Sequence, residues 1–147
     1  MTVSLYARIL VAFQFLLIGM LVLAPLFGFR FSPFGVLTLV AGAVVGLSAV
    51  YAHKRGNWRI LPELQEGCEL VTHGIYRYVR HPMYVSVLLM GAGLVMLNRH
   101  RFMWFVWGAL ALILYLKARR EERLWCEYDP RYEAYRARVK RFIPYLF

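Results

Sequence analysis

The placement of charge constrains this chain more than any other feature. Residues 9–29 and residues 31–52 contain no Asp, Glu, Lys, Arg or His. Each run is long enough to cross roughly 30 Å of hydrocarbon as a helix. Residues 81–98 form a third run, with His81 and Asn98 as polar groups at its ends. Residues 102–116 form a fourth, shorter one, which snorkelling of Arg101 and Lys117 extends. With 61% of 147 residues hydrophobic, a soluble fold of this size has too little interior to hide them. The expected fold is all-α and integral to the membrane, a single domain over residues 1–147. Its four spans are expected over 6–27, 33–52, 82–98 and 102–118, with a loop over 53–81 and a tail over 119–147 that forms interfacial helices. For the last two runs the alternative is a re-entrant or buried hairpin. The segment Tyr6–Leu23 lacks a small-residue cleavage site and is expected to be a mature span rather than a signal peptide.

The basic residues then fix an orientation. Of 18 Lys and Arg residues, only Arg30, Arg99 and Arg101 fall in the two short turns. The rest lie at the N-terminus, in the central loop or in the tail. This bias predicts cytoplasmic termini and a cytoplasmic central loop in a multi-pass protein. A bacterial or archaeal inner membrane is the expected location. The formal charge of +10 suits a face resting on anionic lipid. Nucleic-acid binding is the rival for a basic chain, but the basic residues flank spans and build no separate soluble domain. Cys68 and Cys126 both fall in expected cytoplasmic segments, where thiols stay reduced, and no metal-ligand spacing is present.

Local signals place the helix ends. Ser32-Pro33 reads as an N-cap followed by Pro at the first helical position. Gly42 and Gly46 form a GxxxG pair that permits close helix contact. Asp129-Pro130 interrupts a charged helix that begins at Lys117 and caps a second one. In that second helix Tyr132, Tyr135, Val139 and Phe142 recur at three- and four-residue spacing, a pattern that suits an interfacial helix.

Two clusters carry potential chemistry. The first runs from Leu70 to Tyr84. Pro82 suits the first turn of a helix and forces His81 out of helical geometry. Arg80 and His81 then stand at the positive end of that helix, a favourable place for an anion. Tyr76, Tyr78 and Tyr84 add aromatic faces that stack on a base or meet a cation. The second cluster is Lys117-Ala118-Arg119-Arg120-Glu121-Glu122, where the fourth span leaves the membrane. Its carboxylates suit ribose hydroxyls or a ligand amine. Taken alone, it is equally a helix with i,i+4 pairs such as Lys117–Glu121.

In order and spacing, Leu70-Val71-Thr72-x-Gly74-x-Tyr76, Arg80-His81-Pro82-x-Tyr84, and Glu121-Glu122 followed by Tyr132, Tyr135, Val139, Arg141 and Pro144 resemble one group of membrane enzymes. It is the isoprenylcysteine carboxyl methyltransferase and phospholipid methyltransferase superfamily. The resemblance spans about residues 55–145. It implies S-adenosylmethionine as methyl donor, held by Cys68, Glu69, Leu70, Val71, Tyr76, His81, Pro82, Met83, Tyr84, Glu121 and Glu122. Cys68 and Glu69 match by position only. A basic residue one turn before the Glu contacts the acceptor in the carboxyl methyltransferases, and Lys117 stands there by charge rather than type. Arg80 and Lys117 are the candidate catalytic residues. Val85-Ser86 replace the x-Gly that many relatives carry after the RHPxY motif. Gly91-Ala92-Gly93 resembles a small-residue motif of the phospholipid enzymes and equally suits helix packing.

The reaction so implied moves a methyl group from a sulfonium to a lipophilic acceptor by in-line displacement. Positioning supplies much of the acceleration in such steps, with effective molarities of about 10⁵–10⁸ M in favourable cases. A carboxylate or thiolate acceptor needs no strong base, whereas an amine must first lose a proton. The sequence leaves an isoprenylcysteine carboxyl methyltransferase-like activity beside a phospholipid N-methyltransferase or a thiol S-methyltransferase. A non-catalytic membrane scaffold on the same fold is the reading of a different class.

Overall fold

The computed structural model describes residues 4–52 and 69–144. Cys68 and most of the 53–81 loop assigned from sequence lie outside the described residues. Within them the chain is all-α: α1 (Leu5–Gly28), α2 (Pro33–Ala52), a 3₁₀ turn (Gly74–Arg77), α3 (Pro82–Met96), α4 (Met103–Tyr128) and α5 (Arg131–Arg138). By length and composition α1 and α2 can each cross a membrane, and α3 is a shorter apolar helix. Large apolar side chains such as Phe27, Phe34 and Leu37 stand exposed on α1 and α2, as expected for surfaces solvated by lipid.

The expected starts and stops are present. Ser32 Oγ accepts the Gly35 N–H at 3.2 Å, and Pro33 opens α2. Asp129 Oδ1 accepts the Arg131 N–H at 2.9 Å, so Asp129 ends α4 and caps α5. The last apolar run and the charged helix after it form one continuous helix, Met103–Tyr128, which no Pro interrupts.

The helices pack in a definite order. α2 lies along α3, α1 lies along α4, and α3 touches both α1 and α4. The GxxxG pair serves the α2–α3 contact. A Cβ on Gly42 would sit 2.8 Å from the Met90 backbone nitrogen, and Ser86 Oγ donates to the Gly42 carbonyl at 2.7 Å. Gly93 faces the same contact, where its Cβ would lie 2.7 Å from the Gly35 carbonyl oxygen. A second core joins Leu21 of α1, Val95 of α3, and Val106, Leu110 and Leu114 of α4. The two short turns are tied together by Arg30 N–H to Leu97 O and Arg99 N–H to Gly28 O, both at 2.9 Å. They therefore lie at one end of the bundle. His81, which opens α3, and the charged half of α4 lie at the other.

The tail departs from the expected interfacial helix. α5 stops at Arg138, and Val139 is extended. Tyr132, Tyr135 and Val139 are buried against Leu70, Trp125 and Cys126. The apolar face assigned to the membrane surface is covered by protein, because α5 folds back onto α4 and onto the segment before α3.

Candidate functional site

The site is assembled at the α3 N-terminus. Gly74 adopts a φ of 60°, a left-handed conformation open to glycine at little cost, and there turns the chain into the 3₁₀ helix. That turn buries Tyr76 against Ala49 and Ala52 of α2, with Val71 and Met83 beside it. The Tyr76 carbonyl accepts the Tyr135 hydroxyl at 2.6 Å. Burial pushes the Tyr135 phenol up to about 12 and the Tyr76 phenol higher still, so both remain neutral.

After the 3₁₀ turn the chain runs extended beside the tail. Val79 pairs with Lys140 as a parallel bridge. The Arg80 N–H reaches the Lys140 carbonyl at 2.9 Å, and the His81 N–H reaches that of Arg141 at 3.2 Å. His81 sits outside helical geometry, and Pro82 occupies the first turn, as the sequence predicts.

Two adjacent glutamates on α4 face this segment and do different work. Glu122 has a side chain only 4% exposed and binds three cationic groups. Arg80 Nε and Nη2 donate to its Oε1 at 3.0 and 2.9 Å. Arg141 Nε and Nη2 donate to Oε1 and Oε2 at 2.9 and 2.7 Å. His81 Nε2 lies 3.1 Å from Oε1. Burial alone would raise the Glu122 carboxyl, but the bonds from His81, Arg141 and Arg80 hold it well below the usual carboxylate range. Arg80 Nη1 also donates to the carbonyls of Arg136 and Val139. The Arg80 guanidinium is thus tied to protein on every nitrogen.

Glu121 is more open, with a side chain 23% exposed. It accepts the Tyr84 hydroxyl, and its Oε2 lies 3.4 Å from His81 Nδ1. Both ring nitrogens of His81 therefore face carboxylates, which the doubly protonated imidazolium satisfies best. Burial opposes that charge, yet the bonds to Glu121 and Glu122 outweigh it and raise the His81 pKa above its usual 6.5. The Tyr84 ring stacks parallel to His81 with centroids 5.4 Å apart, and Phe142 lies on His81 at 6.0 Å.

The structure brings together Tyr76, Arg80, His81, Pro82, Met83, Tyr84, Lys117, Glu121 and Glu122 of the residues selected from sequence. Leu70 and Val71 line the two neighbouring apolar clusters. Glu69 is exposed, and Tyr78 is 55% exposed. Lys117 does not snorkel: it is 1% exposed, its Nζ is 2.5 Å from Gln14 Oε1, and it lies 5.3 Å from the Tyr84 ring centroid. Arg141 and Gln14 were not selected from sequence. Arg141 lies in the matched motif, 19 residues after Glu122, and nothing local reports that contact. Gln14 had a signal, being the one hydrogen-bonding side chain within residues 9–29.

A family model described as phospholipid methyltransferase matches residues 31–128, two thirds of the chain. Over 63 residues the chain is 32% identical to Protein-S-isoprenylcysteine O-methyltransferase A of Arabidopsis thaliana, a match covering 42% of this chain. The chain spans about a third of that relative's length, the matched part being 32% of it.

Proposed function

Because the chain belongs to the phospholipid methyltransferase family, we propose that it is a membrane enzyme that transfers a methyl group from S-adenosylmethionine to a lipophilic acceptor. The division of labour between Glu121 and Glu122 carries this reading. Glu122 is tied up by Arg80, Arg141 and His81, and its role is to hold the site together. Glu121 keeps an open side next to Tyr84 and His81. A partly exposed carboxylate beside aromatic rings fits a cationic, hydroxyl-bearing nucleoside such as S-adenosylmethionine. Tyr84, Phe142, Tyr76 and Met83 would supply the apolar walls. Glu69 and Cys68 stay assigned to the cofactor by resemblance.

When bound, S-adenosylmethionine supplies an activated methyl group on a sulfonium. The residues of the chain would bind, orient and exclude water. Arg80, a candidate catalytic residue from sequence, is better placed as a positioning residue, since its donors are consumed by Glu122 and by the Arg136 and Val139 carbonyls. Lys117 keeps its place on the acceptor side. It lies one helical turn before Glu121, toward the apolar half of α4. Its ammonium favours a carboxylate or thiolate acceptor, as in the S-isoprenylcysteine named in the relative, over an amine. A phospholipid amine or small thiol acceptor remains the alternative within the family, and anionic lipids are the expected surroundings.

His81→Ala and Glu121→Ala are each expected to weaken S-adenosylmethionine binding by about 1–3 kcal/mol, the range for loss of a buried polar partner. Binding titrations on purified, folded protein test this. Wild-type affinity in both variants would remove the cofactor assignment, and a wild type that binds no S-adenosylmethionine would favour a non-catalytic scaffold.

The same reading includes four spans with cytoplasmic termini. Reporters placed after Phe147 and within Glu63–Glu69 are expected to read cytoplasmic, and one at Asn98–Arg101 external. A cytoplasmic signal at Asn98–Arg101 would show that α3 and α4 do not cross.

A further inference from the structure

Gln14 is an outlier on its own helix. The buried residues of α1 are Ala7, Leu10, Gln14, Leu21 and Ala24, a stripe at three-, four- and seven-residue spacing that packs on the rest of the bundle. Four of the five are apolar or small. The polar one is 8% exposed, and its amide oxygen is 2.5 Å from Lys117 Nζ. Gln14 lies fourteen positions before Gly28, and Lys117 fourteen after Met103. At 1.5 Å per residue both are about 21 Å from the turn end of the bundle. The contact is therefore between helices at matched depth. The Lys117 ammonium also faces the Tyr84 ring, whose hydroxyl bonds Glu121. A continuous line of polar groups thus runs from Gln14 through Lys117 and Tyr84 to Glu121 and His81.

A neutral amide has a specific consequence at this position. It directs the ammonium without adding a second carboxylate to Glu121, whose charge already acts on Lys117. Ionisable side chains buried among membrane helices, as Lys117 is, are rare and mark functional paths, and Gln is among the side chains that hydrogen-bond across such helices.

We propose that Gln14 is a positioning residue. It fixes the Lys117 ammonium against the Tyr84 ring on the bilayer side of Glu121, and so sets the preference for acceptors with an anionic head on a lipophilic body. This rests on the methyltransferase reading above.

The test uses the full chain in lipid nanodiscs as wild type, Gln14→Met and Gln14→Glu. Three quantities are measured: the affinity for S-adenosylmethionine, kcat and KM with S-farnesylcysteine, and the labelling rate of Lys117 by a membrane-permeant amine-reactive ester, read by mass spectrometry. Gln14→Met keeps the length of the side chain and removes its acceptor oxygen. It is expected to raise KM about tenfold, the size of one lost hydrogen bond to a charged group. S-adenosylmethionine affinity and kcat stay as in wild type, and Lys117 labels faster. Gln14→Glu restores slow labelling because its carboxylate holds the ammonium, yet KM stays high because the charge is cancelled. Wild-type KM and labelling in Gln14→Met overturn the assignment of Gln14 and leave the methyltransferase reading standing. A wild type that binds no S-adenosylmethionine overturns that reading and the acceptor preference with it. Unchanged labelling in Gln14→Met then separately overturns the contact itself.

Discussion

Glu122→Ala is expected to destabilise the solubilised protein by about 3–5 kcal/mol, the usual consequence of removing one partner from a buried ionic cluster. The Arg80 and Glu122 side chains are 7% and 4% exposed, and that of Arg141 is 17% exposed, so little solvent is available to replace the lost carboxylate. Two guanidinium groups and His81 would be left facing one another. The pH dependence follows from the two shifted groups. The Glu122 pKa is lowered, so its contribution is complete above its ordinary 4.5 and fades as pH falls through the lowered value. The His81 pKa is raised, so its contribution is complete below its ordinary 6.5 and fades as pH rises through the raised value. The difference in stability between wild type and Glu122→Ala is therefore expected to be greatest between pH 4.5 and 6.5. Unfolding of both proteins across that range measures it. A difference under about 1 kcal/mol, the size of an exposed ion pair, would mean that water screens the cluster.

Ending the chain at Arg138 is expected to weaken S-adenosylmethionine binding at least ~100-fold, about 2.8 kcal/mol. The segment after α5 does three things at once. The Lys140 and Arg141 carbonyls accept the backbone N–H groups of Arg80 and His81. The Val139 carbonyl accepts from the Arg80 guanidinium. Arg141 grips both oxygens of Glu122. Losing all three frees the segment that presents His81 and Tyr84. Arg141→Ala alone removes only the last of them, and its effect should fall at about 1.5–3 kcal/mol in stability, the range for bonds to a charged group. If the shortened chain folds and binds with wild-type affinity, the tail is only a surface covering. The expectation from sequence that Tyr132, Tyr135 and Val139 face the membrane surface is corrected by the packing, which buries them against Leu70, Trp125 and Cys126.

Much of the architecture is dictated by local chemistry, and so was legible in the sequence. Uncharged runs set the helices, Ser32, Pro33, Pro82 and Asp129 set their ends, and Gly42 and Gly46 allow α2 to approach α3. The order of the RHPxY and EE motifs also pointed to the right family. What the sequence could not assign is which glutamate does which work. Glu121 and Glu122 are chemically identical neighbours, and successive residues on a helix point about 100° apart. Their roles depend on what stands in each direction. Toward Glu122 stand Arg80, 42 residues away, and Arg141, 19 residues away. Toward Glu121 stands Tyr84, 37 residues away. The Gln14–Lys117 contact spans 103 residues. No local pattern encodes such separations. Only the packing of α1 on α4, and of the tail on the start of α3, turns these side chains into partners.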